Sequence, residues 1–186
     1  MERLADNEVA ELKGVAWKAI EHGCGEGVDR APLEIDGFPA ALREIRASFV
    51  TLRADGRLRG CMGSLEARSP LVEDVARNAH NAAFRDPRFA PVKSKEVAGL
   101  DLKISVLSPP ELFPVESEEE LVARLCVGED GIILKDGPRK ATFLPAVWEM
   151  ISSPEEFVRQ LKRKAGLSED HWSERTEVFR YRADEY

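Results

Sequence analysis

The chain has 186 residues, of which 43% are hydrophobic and 33% charged, a balance that is typical of one globular domain and excludes a disordered or fibrous protein. Its 34 acidic residues outnumber its 27 basic ones and give a formal net charge of −7, which argues against binding to nucleic acid through phosphate contacts. We therefore expect one domain over 1–186, with two lobes whose boundary the sequence does not fix.

The ends and the cysteines indicate a cellular location. Glu2, Arg3 and Asp6 are followed by no apolar stretch, so no secretory signal is predicted and the cytoplasm is the expected compartment. No apolar run approaches the roughly 18 residues that a membrane helix needs, so no membrane partner is expected. The three cysteines are far apart, which predicts reduced thiols and neither a disulfide framework nor a structural zinc site.

The first half of the chain predicts two helices and a hairpin. The helices follow from apolar residues spaced three and four apart, and the hairpin from Asp55-Gly56 between two β-prone runs. In chain order the predicted elements are a helix over 7–21, a long loop rich in Gly and Pro over 23–39, strands over 48–53 and 58–63, and a helix that is capped by Ser69, has Pro70 in its first turn and ends before Asp86.

The second half alternates less regularly. The predicted elements are a strand over 100–106, a short helix over 117–125, a hairpin over 131–135 and 140–144, a helix from Ser153 to Ala165 and a strand over 176–182. Ser153 and Glu156 have the spacing of a capping box. Because strands and helices are mixed without βαβ repetition, the predicted class is α+β, a single compact domain with mixed or antiparallel sheets and packed helices.

The second strand of the first hairpin carries the residues with the most chemistry. Alternation along a strand places Arg59 and Cys61 on one face, where the guanidinium would favour the thiolate. Gly60 and Gly63 beside them would let a ligand approach the backbone. Cys61 and Arg59 are therefore the catalytic candidates. The alternative stays open that Cys61 is a small buried residue, Arg59 a salt-bridge donor and the glycines part of a bulge.

Other candidates for ligand binding lie outside this hairpin. Asp86 and Arg88 flank Pro87 in a rigid turn that suits an anionic or planar ligand, although the two side chains also suit each other as partners. Thr142, in the second hairpin, is a further candidate for ligand binding. The histidines lie on separate elements and predict no metal site. The sequence identifies no cofactor, because no dinucleotide or nucleoside-triphosphate motif is present.

The block Leu58-Arg59-Gly60-Cys61-Met62-Gly63 resembles the Leu-Arg-Gly-Cys-Ile-Gly signature of the AMME chromosomal region gene one family, with Met62 in place of the usual Ile. The resemblance continues along nearly the whole chain. Further similar blocks are 48–52, 78–84, Asp86-Pro87-Arg88-Phe89, 105–111, Thr142-Phe143-Leu144-Pro145, Val147-Trp148-Glu149 and 164–167.

This resemblance implies a compact α+β domain of two lobes, with the signature hairpin near the cleft between them. Bacterial and archaeal relatives of the AmmeMemoRadiSam system protein A type are associated with a Memo-like protein and a radical SAM protein, which implies a shared pathway. The chain has no cluster of three cysteines, so it would not itself hold the iron-sulfur cluster of such a pathway.

Two functions follow from these residues. In the first, the protein is a cytosolic enzyme or enzyme component in which Cys61 acts as a thiolate and Arg59 tunes it or holds a substrate anion. In the second, it is a noncatalytic adaptor or ligand-binding module, whose cleft binds a small molecule or peptide and passes it to a pathway partner. Replacing Cys61 by Ser separates the two, because only the enzyme would lose its turnover.

Overall fold

The computed structural model describes residues 3–25 and 33–186, and the chain divides into two units. The first unit is Met1–Leu107 with Asp184–Tyr186, and the second is Ser108–Ala183. Each unit has its own four-stranded sheet and its own apolar core, and the strand pairs with a defined register are antiparallel. Helices packed on antiparallel sheets confirm the predicted α+β class.

The elements follow in one series along the chain. The helices are α1 (Asp6–Gly25), α2 (Ala40–Arg43), α3 (Leu71–Phe84), α4 (Glu118–Arg124) and α5 (Pro154–Lys164). The strands are β1 (Ser48–Ala54), β2 (Arg57–Gly63), β3 (Leu100–Leu107), β4 (Glu111–Leu112), β5 (Gly131–Asp136), β6 (Arg139–Phe143), β7 (Thr176–Tyr181) and β8 (Ala183–Glu185). In the described part of the chain no helix has both the length and the apolar character that crossing a bilayer requires.

In the first unit, α3 separates α1 from the sheet, whose strand order is β2-β1-β3-β8. The predicted hairpin β1-β2 is present, and its turn residues Asp55 and Gly56 have φ of 49° and 73°, the left-handed pair that a tight hairpin requires. The core lies between α3 and the sheet, where Val50, Leu52 and Ile104 are fully buried. Strand β2 lies at the edge of this sheet.

Three predictions for the first unit need correction. Helix α1 continues through Gly23 to Gly25, because Gly23 packs against the ring of Phe84, and a β-carbon there would overlap that ring. Residues 26–32 of the predicted loop lie outside the described residues, and Ile35–Gly37 forms a short 3₁₀ turn. Ser69 does not cap α3, which begins at Leu71 after Pro70.

Strand β2 lies directly against α3 because Gly60 has no side chain. A β-carbon at Gly60 would overlap the carbonyl oxygen of Ala82, near the end of α3. Glycine therefore lets the backbone of the strand touch the backbone of the helix.

In the second unit the strand order is β4-β7-β5-β6. Its core includes Trp148 stacked on Phe157, with 4.1 Å between ring centroids. The predicted helix starts are confirmed, since Ser117 and Ser153 each accept a hydrogen bond from the backbone three residues later. Lys162 is fully buried and donates to the carboxylate of Glu118 and to a backbone carbonyl.

Gly60→Ala tests the contact between β2 and α3. We expect the added methyl group to lower the free energy of unfolding by about 1–3 kcal/mol, because neither backbone can move without disturbing its own hydrogen bonds. Gly14→Ala is the control. It lies in α1 with open space around its α-carbon, so alanine should raise the free energy of unfolding by about 0.5–1 kcal/mol. Urea denaturation measures both, and similar effects of the two substitutions would contradict the close contact.

Candidate functional site

Cys61 lies in β2 opposite Thr51 of β1. Its neighbours Gly60 and Met62 face the core of the first unit, so the alternation of a strand places the thiol on the other face of the sheet. There the hydroxyl of Thr51 donates a hydrogen bond to Sγ of Cys61, with 3.3 Å between the two atoms. The side chain of Cys61 is half-buried.

The backbone of Cys61 is held by the turn that follows α3. Oδ2 of Asp86 accepts the Cys61 N–H at 2.9 Å, and Nη2 of Arg88 donates to the Cys61 carbonyl at 3.3 Å. Arg88 also donates to both oxygens of Asp86, at 2.9 and 2.7 Å. The predicted pair Asp86 and Arg88 is thus a pair of mutual partners that together bind β2. We call Thr51, Cys61, Asp86 and Arg88 the β2-edge site.

The charges of this pair stabilise each other. The hydrogen bond from Arg88, followed by the N–H of Cys61, holds the pKa of Asp86 well below its usual range, although burial of the carboxylate acts in the opposite direction. The hydrogen bond to Asp86 raises the pKa of Arg88. Only 2% of the Asp86 side chain is exposed, against 55% of Arg88. The carboxylate is therefore an internal anchor and the guanidinium faces solvent.

A β-bulge at Arg59 changes the geometry that alternation predicts. Leu52 pairs with Gly60 and Arg53 with Leu58, so Arg59 has no opposite residue on β1. Its Nε and Nη2 each lie 3.1 Å from Oε1 of Glu96. The contact seen for Arg59 is therefore the salt bridge that the sequence left open as an alternative. A catalytic role for Arg59 beside the thiol stays a prediction.

Glu96 binds the chain after α3 to β2. Its second carboxylate oxygen accepts the N–H of Lys93 at 2.8 Å, at the start of a short 3₁₀ helix over Ser94–Gly99. That N–H, followed by Arg59, lowers the pKa of Glu96. Asp86 and Glu96 thus attach one continuous segment to the edge strand at two points, Cys61 and Arg59.

The two glycines of the signature have packing roles. Gly60 contacts the Ala82 carbonyl, and Gly63 lies under the ring of Phe49, which a β-carbon at Gly63 would overlap. These two contacts explain why glycine is present at both positions, without any role for a bound ligand. The predicted approach of a ligand to these residues stays a prediction.

Thr142 belongs to the second unit, where its hydroxyl is already bonded. Oγ1 donates to the carbonyl of Ile132 at 2.8 Å and lies 2.9 Å from the hydroxyl of Tyr181. Burial raises the pKa of Tyr181 to about 12. The contacts of Thr142 hold β6 to β5 and β7, and they include none of the residues of the β2-edge site.

A buried carboxylate in α3 could not be recognised from the sequence pattern. Asp74 is fully buried, and its Oδ2 accepts hydrogen bonds from the N–H and hydroxyl of Ser48 and from Asn78, at 2.9, 2.7 and 2.8 Å. Its Oδ1 accepts from Ser64 at 2.9 Å and pairs with Arg77. The saturated carboxylate ties the start of α3 to β1 and to the end of β2, which is a structural role. An acidic residue in a first helical turn was the only local signal for it.

The histidines are not grouped around a metal site. His171 bonds Asp136 through Nε2 at 2.6 Å, whereas His22 and His80 lie in α1 and α3. Within residues 3–25 and 33–186 no cluster of three or more His, Cys, Asp or Glu side chains is suited to hold a metal ion.

Asp86→Asn tests the anchor of the β2-edge site. Because the pKa of Asp86 is lowered by folding, its contacts stabilise the fold above the unfolded-state pKa near 3.9, and this stabilisation is lost as the pH falls below that value. We expect the variant to lose about 1–3 kcal/mol of unfolding free energy at pH 7. The difference from the unmodified protein should shrink at pH 3.

Urea denaturation at the two pH values makes this measurement, with Asp101→Asn as the control. Asp101 is an exposed carboxylate of β3, and its loss should change the free energy of unfolding by less than about 0.5 kcal/mol. A difference for Asp86→Asn that is equal at pH 7 and pH 3 would show that the charge of Asp86 is not what stabilises this edge.

Comparisons with known proteins agree on one family. The family model AMMECR1 matches residues 14–186. A protein of Methanothermobacter thermautotrophicus is 39% identical over 183 residues, which cover 97% of this chain and 94% of that protein. A protein of Methanocaldococcus jannaschii is 36% identical over 157 residues, which cover 80% of this chain and 76% of that protein.

A solved structure extends this likeness to the fold. The crystal structure of an uncharacterised protein from Pyrococcus horikoshii matches with a TM-score of 0.85 and 35% sequence identity, covering 98% of this chain and 92% of that one. The signature hairpin, the α+β architecture and these matches lead to one conclusion. The chain belongs to the AMMECR1 family.

Proposed function

We propose that the protein is an enzyme or enzyme component whose working group is the thiol of Cys61. The observation that carries this proposal is the hydrogen bond from the hydroxyl of Thr51 to Sγ of Cys61. A donor aimed at sulfur stabilises negative charge on it, and the thiolate is the nucleophilic form of cysteine.

Arg88 supports the same proposal by its charge. Its pKa is raised first by the hydrogen bond to Asp86, so the guanidinium stays positively charged, and a positive charge beside Cys61 would favour the thiolate form. Two hydrogen bonds to Asp86 fix the guanidinium of Arg88. Its position beside Cys61 is therefore already set before a substrate binds. In this proposal Arg88 takes the part that sequence analysis gave to Arg59.

The wider setting of this activity is also a proposal. A small molecule or peptide is the substrate we propose, and the reaction belongs to a pathway shared with a Memo-like protein and a radical SAM protein. The cytoplasm is the compartment we propose, because the free thiols of Cys24, Cys61 and Cys126 suit a reducing environment. The family match runs through both units, which supports one functional domain.

The second candidate is a noncatalytic adaptor or ligand-binding module. It is favoured by the bonds of Asp86 and Glu96, which attach the segment after α3 to β2 and need no chemistry at the thiol. In that case Cys61 is a packed residue of the sheet, and ligand binding rather than turnover is the function.

Alkylation by iodoacetamide separates the two candidates. We expect Cys61 to react faster at neutral pH than Cys24, which is also half-buried. Thr51→Val should slow the reaction of Cys61 about tenfold, which corresponds to the loss of one charge-assisted hydrogen bond of about 1.4 kcal/mol. Peptide mapping assigns the rate of each cysteine, and Cys24 in the same sample is the internal reference.

Thr51→Ser is the matched control, because it keeps the hydroxyl and should keep the rate of Cys61. The unfolding free energy of each variant shows whether the sheet is intact. If Cys61 reacts more slowly than Cys24 and neither Thr51→Val nor Arg88→Leu changes its rate, the thiolate proposal is wrong and the adaptor is preferred.

A further inference from the structure

One nitrogen of the Arg59 guanidinium makes no hydrogen bond within the described residues. Its Nε and Nη2 are bound to Glu96, but Nη1 is buried and has no hydrogen-bond partner within the described residues. The side chain as a whole is 17% exposed. The unused donor therefore lies inside the protein, close to the surface of β2.

A charged donor that is buried without an acceptor costs free energy. Side chains that stay in this state in a folded protein call for an explanation, and a bound ion or ligand is one of the recognised explanations. Arginine suits such a role because its planar guanidinium can bind one carboxylate through one edge and a second oxyanion through another. Glu96 fixes the orientation of Arg59 in advance, which reduces the entropy lost when a ligand binds.

The two chain segments that the contact between Arg59 and Glu96 joins are basic, although the whole chain is acidic. Segments 53–59 and 85–96 hold seven basic residues and three acidic ones. Two of those acids, Asp86 and Glu96, are already bound to arginines. The basic side chains left on the surface of these two segments are Arg53, Arg57, Arg85, Lys93 and Lys95.

We propose that Arg59, oriented by Glu96, binds an oxyanion, a phosphate or carboxylate group of the ligand that the protein takes at the edge of β2. Nη1 of Arg59 donates to the anion, and the basic side chains around it raise the local anion concentration. This proposal names the class of ligand that Arg59 would bind and rests on the proposed function only for what happens at Cys61. Anion binding itself requires no reaction of the thiol.

Titration with inorganic phosphate tests the proposal directly. Backbone amide resonances of the full chain are followed by NMR while phosphate replaces chloride at constant ionic strength, and a parallel titration uses acetate. We expect saturable shifts in β2 and in 93–96 with at least one of the two anions. Saturation by phosphate alone identifies a phosphate group, and saturation by acetate identifies a carboxylate site.

Three variants give the proposal its controls. Arg59→Gln should weaken anion binding about tenfold or more. Arg139→Gln removes an exposed arginine of β6, outside these two segments, and should leave the affinity within about twofold. Glu96→Gln keeps an amide oxygen that can accept from Arg59 and so preserves its orientation, but it removes the negative charge that opposes a second anion and should strengthen binding severalfold.

The outcomes separate this inference from the proposed function. Cys61→Ala should bind the anion as the unmodified protein does, whereas the thiolate proposal is decided by the alkylation rates. Absence of saturation with both anions would overturn the inference, and so would an affinity that Arg59→Gln leaves unchanged while the variant remains folded. Glu96→Gln remains decisive if Arg59→Gln unfolds, because an affinity that falls or stays constant in Glu96→Gln would also contradict it.

Discussion

The first unit depends on the contact between two backbones, that of β2 and that of α3. Gly60 allows this contact by presenting no side chain to the carbonyl of Ala82. Because α3 ends at Phe84, only two residues later, the following turn emerges beside the strand, and the carboxylate of Asp86 reaches the N–H of Cys61. A wider separation of helix and strand would remove this bond, and with it the fixed position of Arg88.

The other end of α3 is attached to the same sheet by a different kind of interaction. Asp74 is fully buried, and its side-chain oxygens accept hydrogen bonds from Ser48, Asn78 and Ser64. A buried carboxylate is tolerated only when its oxygens are bonded in this way, so its partners are geometrically fixed. The helix is therefore held by apolar packing along its length, by a polar network at its start and by a backbone contact near its end.

Sequence patterns predict the local features of this molecule and not the distant ones. The turn at Asp55-Gly56 and the helix cap at Ser153 depend on neighbours within four residues, and both are confirmed. The bulge is not encoded locally. Without it, the hairpin turn would place Gly60 opposite Thr51, and the single added residue brings Cys61 there instead. The hydroxyl of Thr51 could therefore not be identified from the sequence as the partner of the Cys61 thiol. The hydrogen bonds of Asp86 and Glu96 to β2 could not be predicted either, because they join residues 25 and 37 positions apart. Strands β4 and β8 were not predicted because they are too short to show an alternating pattern.

The hydrogen bonds from Asp86 and Arg88 to the backbone of Cys61 also affect whether β2 can pair with a strand of a second molecule. An edge strand offers unpaired N–H and C=O groups that can template a strand from a second molecule and so start aggregation. In β2 the outward N–H and C=O of Cys61 are both occupied, by Asp86 and by Arg88. Asp86 and Arg88, which position Cys61, thus also prevent a strand of a neighbouring molecule from pairing with β2 at this residue. Displacement of Arg88 would free the carbonyl of Cys61 for a strand of a second molecule, whereas the N–H of Cys61 would stay bound to Asp86.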